Sequence, residues 1–405
     1  MFATSQRIAS LFVPDVRGLP AAFWLLLSAT LIDRLGGFAH VYLALYLTGP
    51  AGVDVGTAGA LISLLAVGGV LGSAVGGTLA DRLGRKPLIL AGMLLTAANY
   101  AVLSQLRALP AIAASLFVAG VANTLPRPAM AAAIADVVAA HDRRRAYSLQ
   151  FWVINLAFAF AATVAGLLVK VAWSLVFLID AATSLLAAGL LWAWMRDRHM
   201  PAPAVAVERP VARGPLYDKT FRSLFAVGLL TAAIYNQCNV ALAAEMTVDG
   251  LVAAYGPLLA INGILIGLLQ PFATRTTAAV APVPLLAVGS LLIGTGFGLT
   301  ALADTALAHG ACIVTWTLGE ILLSSTASAA VAGLAPADQR ARYQGAWQSS
   351  WSAAALAPAA GAYVLAHAGS RVLWGGCAVL GLVGAAVVAR LGRDPRLAAD
   401  PTARA

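Results

Sequence analysis

Residues 77–89 read Gly77-Thr78-Leu79-Ala80-Asp81-Arg82-Leu83-Gly84-Arg85-Lys86-Pro87-Leu88-Ile89. Apolar stretches flank this segment on both sides, at roughly 55–80 and 88–107. Each is long enough for one crossing of a bilayer, which takes about 20 residues. The segment therefore reads as the short charged turn of a helical hairpin that crosses a membrane twice. Gly84 permits a tight turn. Gly77 lets another helix approach closely. Asp81 can pair with Arg85 or meet the positive end of a helix. A membrane loop needs only its basic residues; the Gly and Asp spacing asks for a second partner surface.

Composition extends this reading to the whole chain. Of 405 residues, 60% are hydrophobic and 11% charged, and mean hydropathy is +0.85. Soluble domains are about 45–50% apolar and roughly 25% charged, so a water-soluble enzyme is excluded. So are disorder and a disulfide scaffold. Cys238, Cys312 and Cys377 lie in apolar stretches and read as reduced packing residues. Hydrophobic spans are expected at 21–47, 55–80, 88–107, 110–137, 148–169, 172–195, 222–247, 252–274, 283–303, 306–333, 345–367 and 371–391. The first is not expected to be a cleavable signal, since it is longer than a signal core and lacks a small-residue cleavage site.

The net charge of +9 follows from topology. With the N-terminus inside, 21 of the 26 Lys and Arg fall in cytoplasmic segments, and the outer segments hold only Arg107, Lys170 and Arg371. Both termini are then cytoplasmic. Nucleic-acid binding has no support, because no basic and aromatic cluster stands outside the short loops.

The chain also repeats itself. Pro87, Leu88, Gly92, Leu94 and Leu95 match Pro284, Leu285, Gly289, Leu291 and Leu292 at an offset of 197. Asp142, Arg144 and Tyr147 match Asp338, Arg340 and Tyr343 at an offset of 196. Two matches at nearly one offset argue for a duplicated six-helix unit, related by an axis along the membrane normal. The expected division is 1–195 as an N-terminal bundle, 196–221 as a proline-containing cytoplasmic linker, 222–395 as a C-terminal bundle and 396–405 as a tail.

Residues 77–89 closely resemble the G-x-L-A-D-R-x-G-R-K-x-x-L loop of the major facilitator superfamily. The resemblance implies an all-α fold of twelve transmembrane helices in two six-helix bundles. It also implies that Gly77, Asp81, Arg82, Gly84 and Arg85, with Asp136, form a conformational latch between the halves. Asp33-Arg34-Leu35-Gly36, Arg127-Pro128 and Gly319-Glu320 are similar to traits of its bacterial drug:proton antiporters. The chain departs from that branch in helix 5, where residues 155–168 carry no Gly-Pro pair, and in helix 4, where Leu116 stands four residues before Gly120.

Charges within the spans mark the candidate site. Each costs about 2.5–3.5 kcal/mol at the bilayer centre, so Asp33, Arg34, Arg127, Asp180 and Glu320 need partners or protons. Asp33 shares a helix face with Gly37 and His40; it reads either as a proton carrier or as half of a permanent ion pair with Arg34 or Arg127. Glu320 lies on a stripe with Thr317, Ser324 and Ser328, facing a central cavity or satisfied between helices. Proton coupling is assigned to Asp33 and Glu320, and counter-ion or substrate contact to Arg34 and Arg127. Asp180 reads as structural. Cavity walls are expected from His40, Asn123, Trp152, Asn155, Tyr235, Asn239, Tyr255, Asn262, Gln344, Trp347, Gln348 and Trp351.

No Walker loop, H-E-x-x-H, C-x-x-C or G-x-S-x-G pattern occurs. No metal, cofactor or enzymatic activity is expected. The expected function is export of lipophilic drug-like small molecules in exchange for protons, by a monomer in the lipid of a bacterial inner membrane. Its rivals are a proton-coupled importer of small molecules or peptides and a non-transporting receptor on the same fold.

Overall fold

The computed structural model describes residues 16–168, 172–195, 214–239 and 241–398. A few side chains within its helices, His40 and Asn239 among them, lie outside the described residues, as does most of the expected linker. The described residues are helical, with no strand. In chain order the helices are α1 (Ala21–Leu35), α2 (Phe38–Thr48), α3 (Val55–Leu83), α4 (Arg85–Leu103), α5 (Leu109–Thr124), α6 (Pro126–Val137), α7 (Arg143–Leu168) and α8 (Trp173–Met195). They continue with α9 (Lys219–Tyr235), α10 (Ala241–Val248), α11 (Val252–Thr276), α12 (Pro282–Leu299), α13 (Ala306–Leu334), α14 (Arg340–Ala354), α15 (Ala357–Ala368), α16 (Ser370–Leu391) and α17 (Pro395–Ala398). Nine helical segments among the described residues are long and apolar enough to cross a membrane. Large apolar side chains such as Phe158, Leu186 and Leu382 are more than half exposed. In lipid that surface is solvated, whereas in water it would drive association.

Caps and turns follow local chemistry. Asp54 accepts from the Thr57 N–H at 3.0 Å and starts α3. Asp218 caps α9 in the same way, through Thr220 N–H. Gly84 closes the turn between α3 and α4 at φ +95°, a conformation open to glycine at little cost.

Four expected spans are broken. The stretch at 21–47 divides at Gly36-Gly37. A Cβ on Gly36 would fall 1.8 Å from Thr183 Oγ1 of α8, so the chain crosses α8 at that point. The α2 N–H groups of Phe38 and Ala39, freed by the break, donate to the Asp180 carboxylate at 3.0 and 2.9 Å. The stretch at 110–137 divides at Leu125, ahead of Pro126 and Pro128, since proline cannot donate the next backbone bond. Residues 236–239 form a 3₁₀ turn inside the seventh stretch, and residues 355–356 separate α14 from α15 ahead of Pro358.

The cores show how the two halves meet. One cluster, around Phe221, Phe297, Trp316 and Trp374, lies wholly after residue 213. Another, around Phe38, Leu47 and Phe177, lies wholly before residue 196. The third, around Phe23, Ile89 and Ile134, draws in Ala332 and Ala341 from the second half. The halves thus share a core at the end that carries residues 77–89.

Candidate functional site

Glu320 is the centre of the second half. It sits midway along α13, 7% exposed. Asn262 of α11 donates its Nδ2 to Glu320 Oε2 at 2.9 Å and to Thr317 Oγ1 at 3.0 Å. The Tyr235 side chain, at the end of α9, lies beside the same carboxylate. Its ring packs edge-on against Trp316 at 5.5 Å and Trp351 at 6.0 Å. The acid is held by a neutral amide donor, Asn262, and no ion pair to it is found among the described residues within 4.0 Å. Trp316 was not among the expected lining residues, though it lies one turn before Glu320 on the same face. Tyr255 donates to the Cys238 carbonyl at 2.7 Å and closes the break after α9.

Asp33 is the centre of the first half. Ser184 of α8 donates to its Oδ1 at 2.9 Å. Arg34 Nε lies 3.8 Å from its Oδ2, with both side chains a fifth or more exposed. Arg127 turns its Nε to the Asn123 carbonyl at 3.0 Å, and Asn123 donates to the Tyr100 hydroxyl at 2.9 Å. Among the described residues Arg127 makes no ion pair with Asp33, so the pairing expected as one option is only the loose Arg34 contact. Ser184 and Tyr100 were not expected; a lone Ser or Tyr on an apolar helix gives no periodic signal. Asp180 is an N-cap for α2 supplied from α8, a structural arrangement.

Residues 77–89 make the most elaborate contacts. Asp81 accepts from the Ala341 and Arg342 N–H groups at 3.2 and 2.8 Å, capping α14 of the other half. Arg85 meets Asp81 at 2.5 Å and Asp136 at 3.3 Å. Arg340 crosses from the second half to Asp136 at 2.6 Å. A Cβ on Gly77 would lie 2.5 Å from the Ala341 carbonyl, so glycine is what lets α3 and α14 touch. Arg82 lies in the last turn of α3 beside this network.

The remaining expected lining residues are dispersed. Trp152 donates to the Gly267 carbonyl at 2.7 Å, across the α7–α11 seam between halves. Asn155 bonds its own helix at Phe151. Gln344 is fully buried and donates to Ser328 at 3.0 Å. Trp347 lies in the core around Phe221 and Trp316, over Gly228. Gln344 and Trp347 are thus placed in packing, while Trp152 and Asn155 are half-buried and Trp152 lines a cavity at the α7–α11 seam. Gln348 is half-buried on α14, beside Trp351.

Comparison with known proteins agrees with this architecture. The chain is 25% identical over 337 residues to the uncharacterized MFS-type transporter YqjV of Bacillus subtilis, covering 80% of this chain and 81% of that one. It is 29% identical over 328 residues to the multidrug resistance protein MdtH of Edwardsiella ictaluri, covering 79% and 76%. The fold matches an outward-facing bacterial homologue of the iron transporter ferroportin at TM-score 0.77 and 17% identity, over 92% of this chain and all of that one. It also matches the human organic anion transporter MFSD10 at TM-score 0.73 and 16% identity, over 91% and 100%. The profile of the Major Facilitator Superfamily matches residues 25–356. A membrane chain with this profile, this cross-half turn and this fold belongs to the Major Facilitator Superfamily of transporters.

Proposed function

We propose that this transporter exports lipophilic drug-like molecules in exchange for protons by alternating access, with both termini cytoplasmic in a bacterial inner membrane. Residues 1–195 and 222–395 are the two bundles that rock. Asp33 and Glu320 couple the proton, Arg34 and Arg127 balance charge or meet substrate, and the Asp81–Arg85–Asp136–Arg340 network is the latch. The observation that carries the reading is Glu320, buried with Asn262 as its neutral donor, beside Tyr235, whose ring packs on Trp316 and Trp351. A carboxylate buried without a cation is costly, and it is neutralised either by a proton or by a cationic ligand. Exchange of one for the other is antiport. Apolar and aromatic walls around few polar groups suit an amphipathic ligand. The relationship to MdtH, named for multidrug resistance, supports export.

Proteoliposomes with an interior pH dye test this, challenged with lipophilic cations, neutral antibiotics and peptides. Substrate-triggered proton movement opposite in sign to substrate flux is expected, and its loss in Asp33→Asn or Glu320→Gln. Parallel fluxes would establish an importer. Binding with no flux of either species would establish a receptor.

A further inference from the structure

Two arginines of the first half carry more donors than they use. Arg34 stands in the last turn of α1, ahead of the break at Gly36-Gly37. Arg127 stands in the first turn of α6, past the break at Leu125. Arg34, Asp33 and Tyr100 lie beside Arg127. A guanidinium offers five N–H donors in a planar fork. Arg127 gives its Nε to the Asn123 carbonyl at 3.0 Å, and its two Nη groups meet no acceptor among the described residues. Arg34 reaches Asp33 only at 3.8 Å, beyond hydrogen-bond distance, and its fork is otherwise unused among the described residues. The neighbouring acids are engaged elsewhere. Asp33 takes the Ser184 hydroxyl at 2.9 Å, and Asp180 takes the Phe38 and Ala39 N–H groups.

These donors are open to a ligand. The Nη atoms of both arginines keep accessible surface, and the Asp33 and Arg34 side chains are 20% and 28% exposed. Charges halfway along a span do not face acyl chains, where nothing solvates them. The forks therefore open on a polar space inside the bundle. Arg127 also stands at the positive end of α6, where the helix dipole disfavours a cation. A neutral acceptor satisfies single N–H groups and leaves two like charges side by side. An oxyanion answers both, and the two oxygens of a carboxylate match the fork.

We propose that Arg34 and Arg127 clamp the carboxylate of an amphipathic organic acid, so that the preferred substrates are lipophilic molecules that bear an anionic group. This inference rests on the transporter reading given above and narrows its substrate class. Glu320 then takes the proton, and the opposite half meets the anion.

The test uses the full chain in phosphatidylcholine nanodiscs and three probes that differ in one group: dansylglycine, its neutral amide, and the dansyl amine of ethylenediamine. Binding is read as energy transfer from tryptophan to the dansyl group, against empty discs. Dansylglycine should bind about tenfold tighter than the amide. Arg34→Gln and Arg127→Gln should each remove most of that preference and leave amide affinity unchanged. Arg127→Lys keeps the charge and loses the fork, so it should restore only part. The half-buried Arg34 carries the test if Arg127→Gln lowers the unfolding midpoint. Equal affinity for carboxylate and amide, tightest binding of the amine, no binding of the carboxylate, or a preference that survives both Gln variants overturns the proposal. The antiporter reading fails separately. Arginine-dependent carboxylate binding without proton-coupled flux keeps the clamp and removes antiport, whereas coupled flux of the amine or amide without a carboxylate preference keeps antiport and removes the clamp.

Discussion

Asp180 and Gly36 show how one contact sets the path of a helix. The Asp180 carboxylate takes two backbone N–H groups from another helix. Asp180→Ala leaves both donors without it in an apolar interior, so a loss of about 1–3 kcal/mol is expected. Thermal unfolding in detergent checks this, with substrate affinity unchanged. Gly36→Ala places a methyl group on Thr183. Overpacking of this kind costs about 1–3 kcal/mol, and Thr183→Ala should restore much of it in a double-mutant cycle. Glu320→Gln keeps an acceptor for Asn262 and much of the shape of the site. The fold should survive, with the midpoint within a few degrees, while proton-coupled flux falls at least tenfold. A collapse of both together would mean that Glu320 is structural.

At the scale of elements, the seams between halves use both ends of the helix dipole. Asp81 sits on the positive N-terminus of α14. Arg144 sits on the negative C-terminus of α11, through the carbonyls around Thr277. Arg340 and Arg144 are repeat-related, and each crosses to the opposite half. Breaking one end should loosen the closed arrangement. Asp81→Ala or Arg144→Ala should widen the distance distribution between spin labels at Leu83 and Asp338, and the Asp136–Arg340 pair should show a coupling energy of about 0.5–3 kcal/mol in a double-mutant cycle.

The short helix α17 is tied by charge to the start of α9. Arg396 bonds Asp218 at 2.8 and 3.0 Å and Asp394 at 2.8 Å. Burial pushes the Asp218 carboxyl up, but Arg396 and the Phe221 and Thr220 N–H groups outweigh it and hold it below the usual aspartate value. Arg396 and Thr220 hold Asp394 well below its usual value. Depressed carboxyls contribute stability that is present above the unfolded value of about 3.9 and is lost as pH falls through their folded values. The midpoint advantage of the native chain over Arg396→Gln should therefore be constant from pH 7 to 5 and shrink below about pH 4.

For the whole molecule, closure at one end is the result of close backbone contact. A Cβ on Gly345 would lie 2.6 Å from the Ser73 carbonyl, and one on Gly77 would strike Ala341. Gly345→Ala should force α3 and α14 apart and shift the population toward opening at the latch end. Alkylation rates of a cysteine introduced at residue 341 read this directly, with an increase of several-fold expected. Most of the helices were legible in the chain because each is an apolar run bounded by charge or proline. The breaks at Gly36 and after Tyr235 were not, because a single glycine or a polar tetrad inside an apolar run carries no periodic signal. The site was legible in part. Asp33, Glu320, Asn262 and Tyr235 stand out as polar groups in apolar helices, and the structure joins the last three around one carboxylate. Nothing in the sequence around Trp316 sets it apart from a core aromatic. Gln344 and Trp347 looked like lining residues, yet they face inward, since a polar row on a helix does not say which neighbour it meets.

Sequence by itself determined that this chain lives in a membrane and that it is helical, and it pointed to a duplicated unit. Those properties follow from hydropathy, from the obligation to satisfy backbone groups within each span, and from two short matches at offsets of 197 and 196. Tertiary structure alone decided which acids have cationic neighbours, which end of the molecule is shut and where the seam leaves a cavity. Such properties depend on contacts between helices distant in the chain, where ångström-scale approaches at Gly77, Gly345 and Gly36 select one packing from many that the same pattern allows.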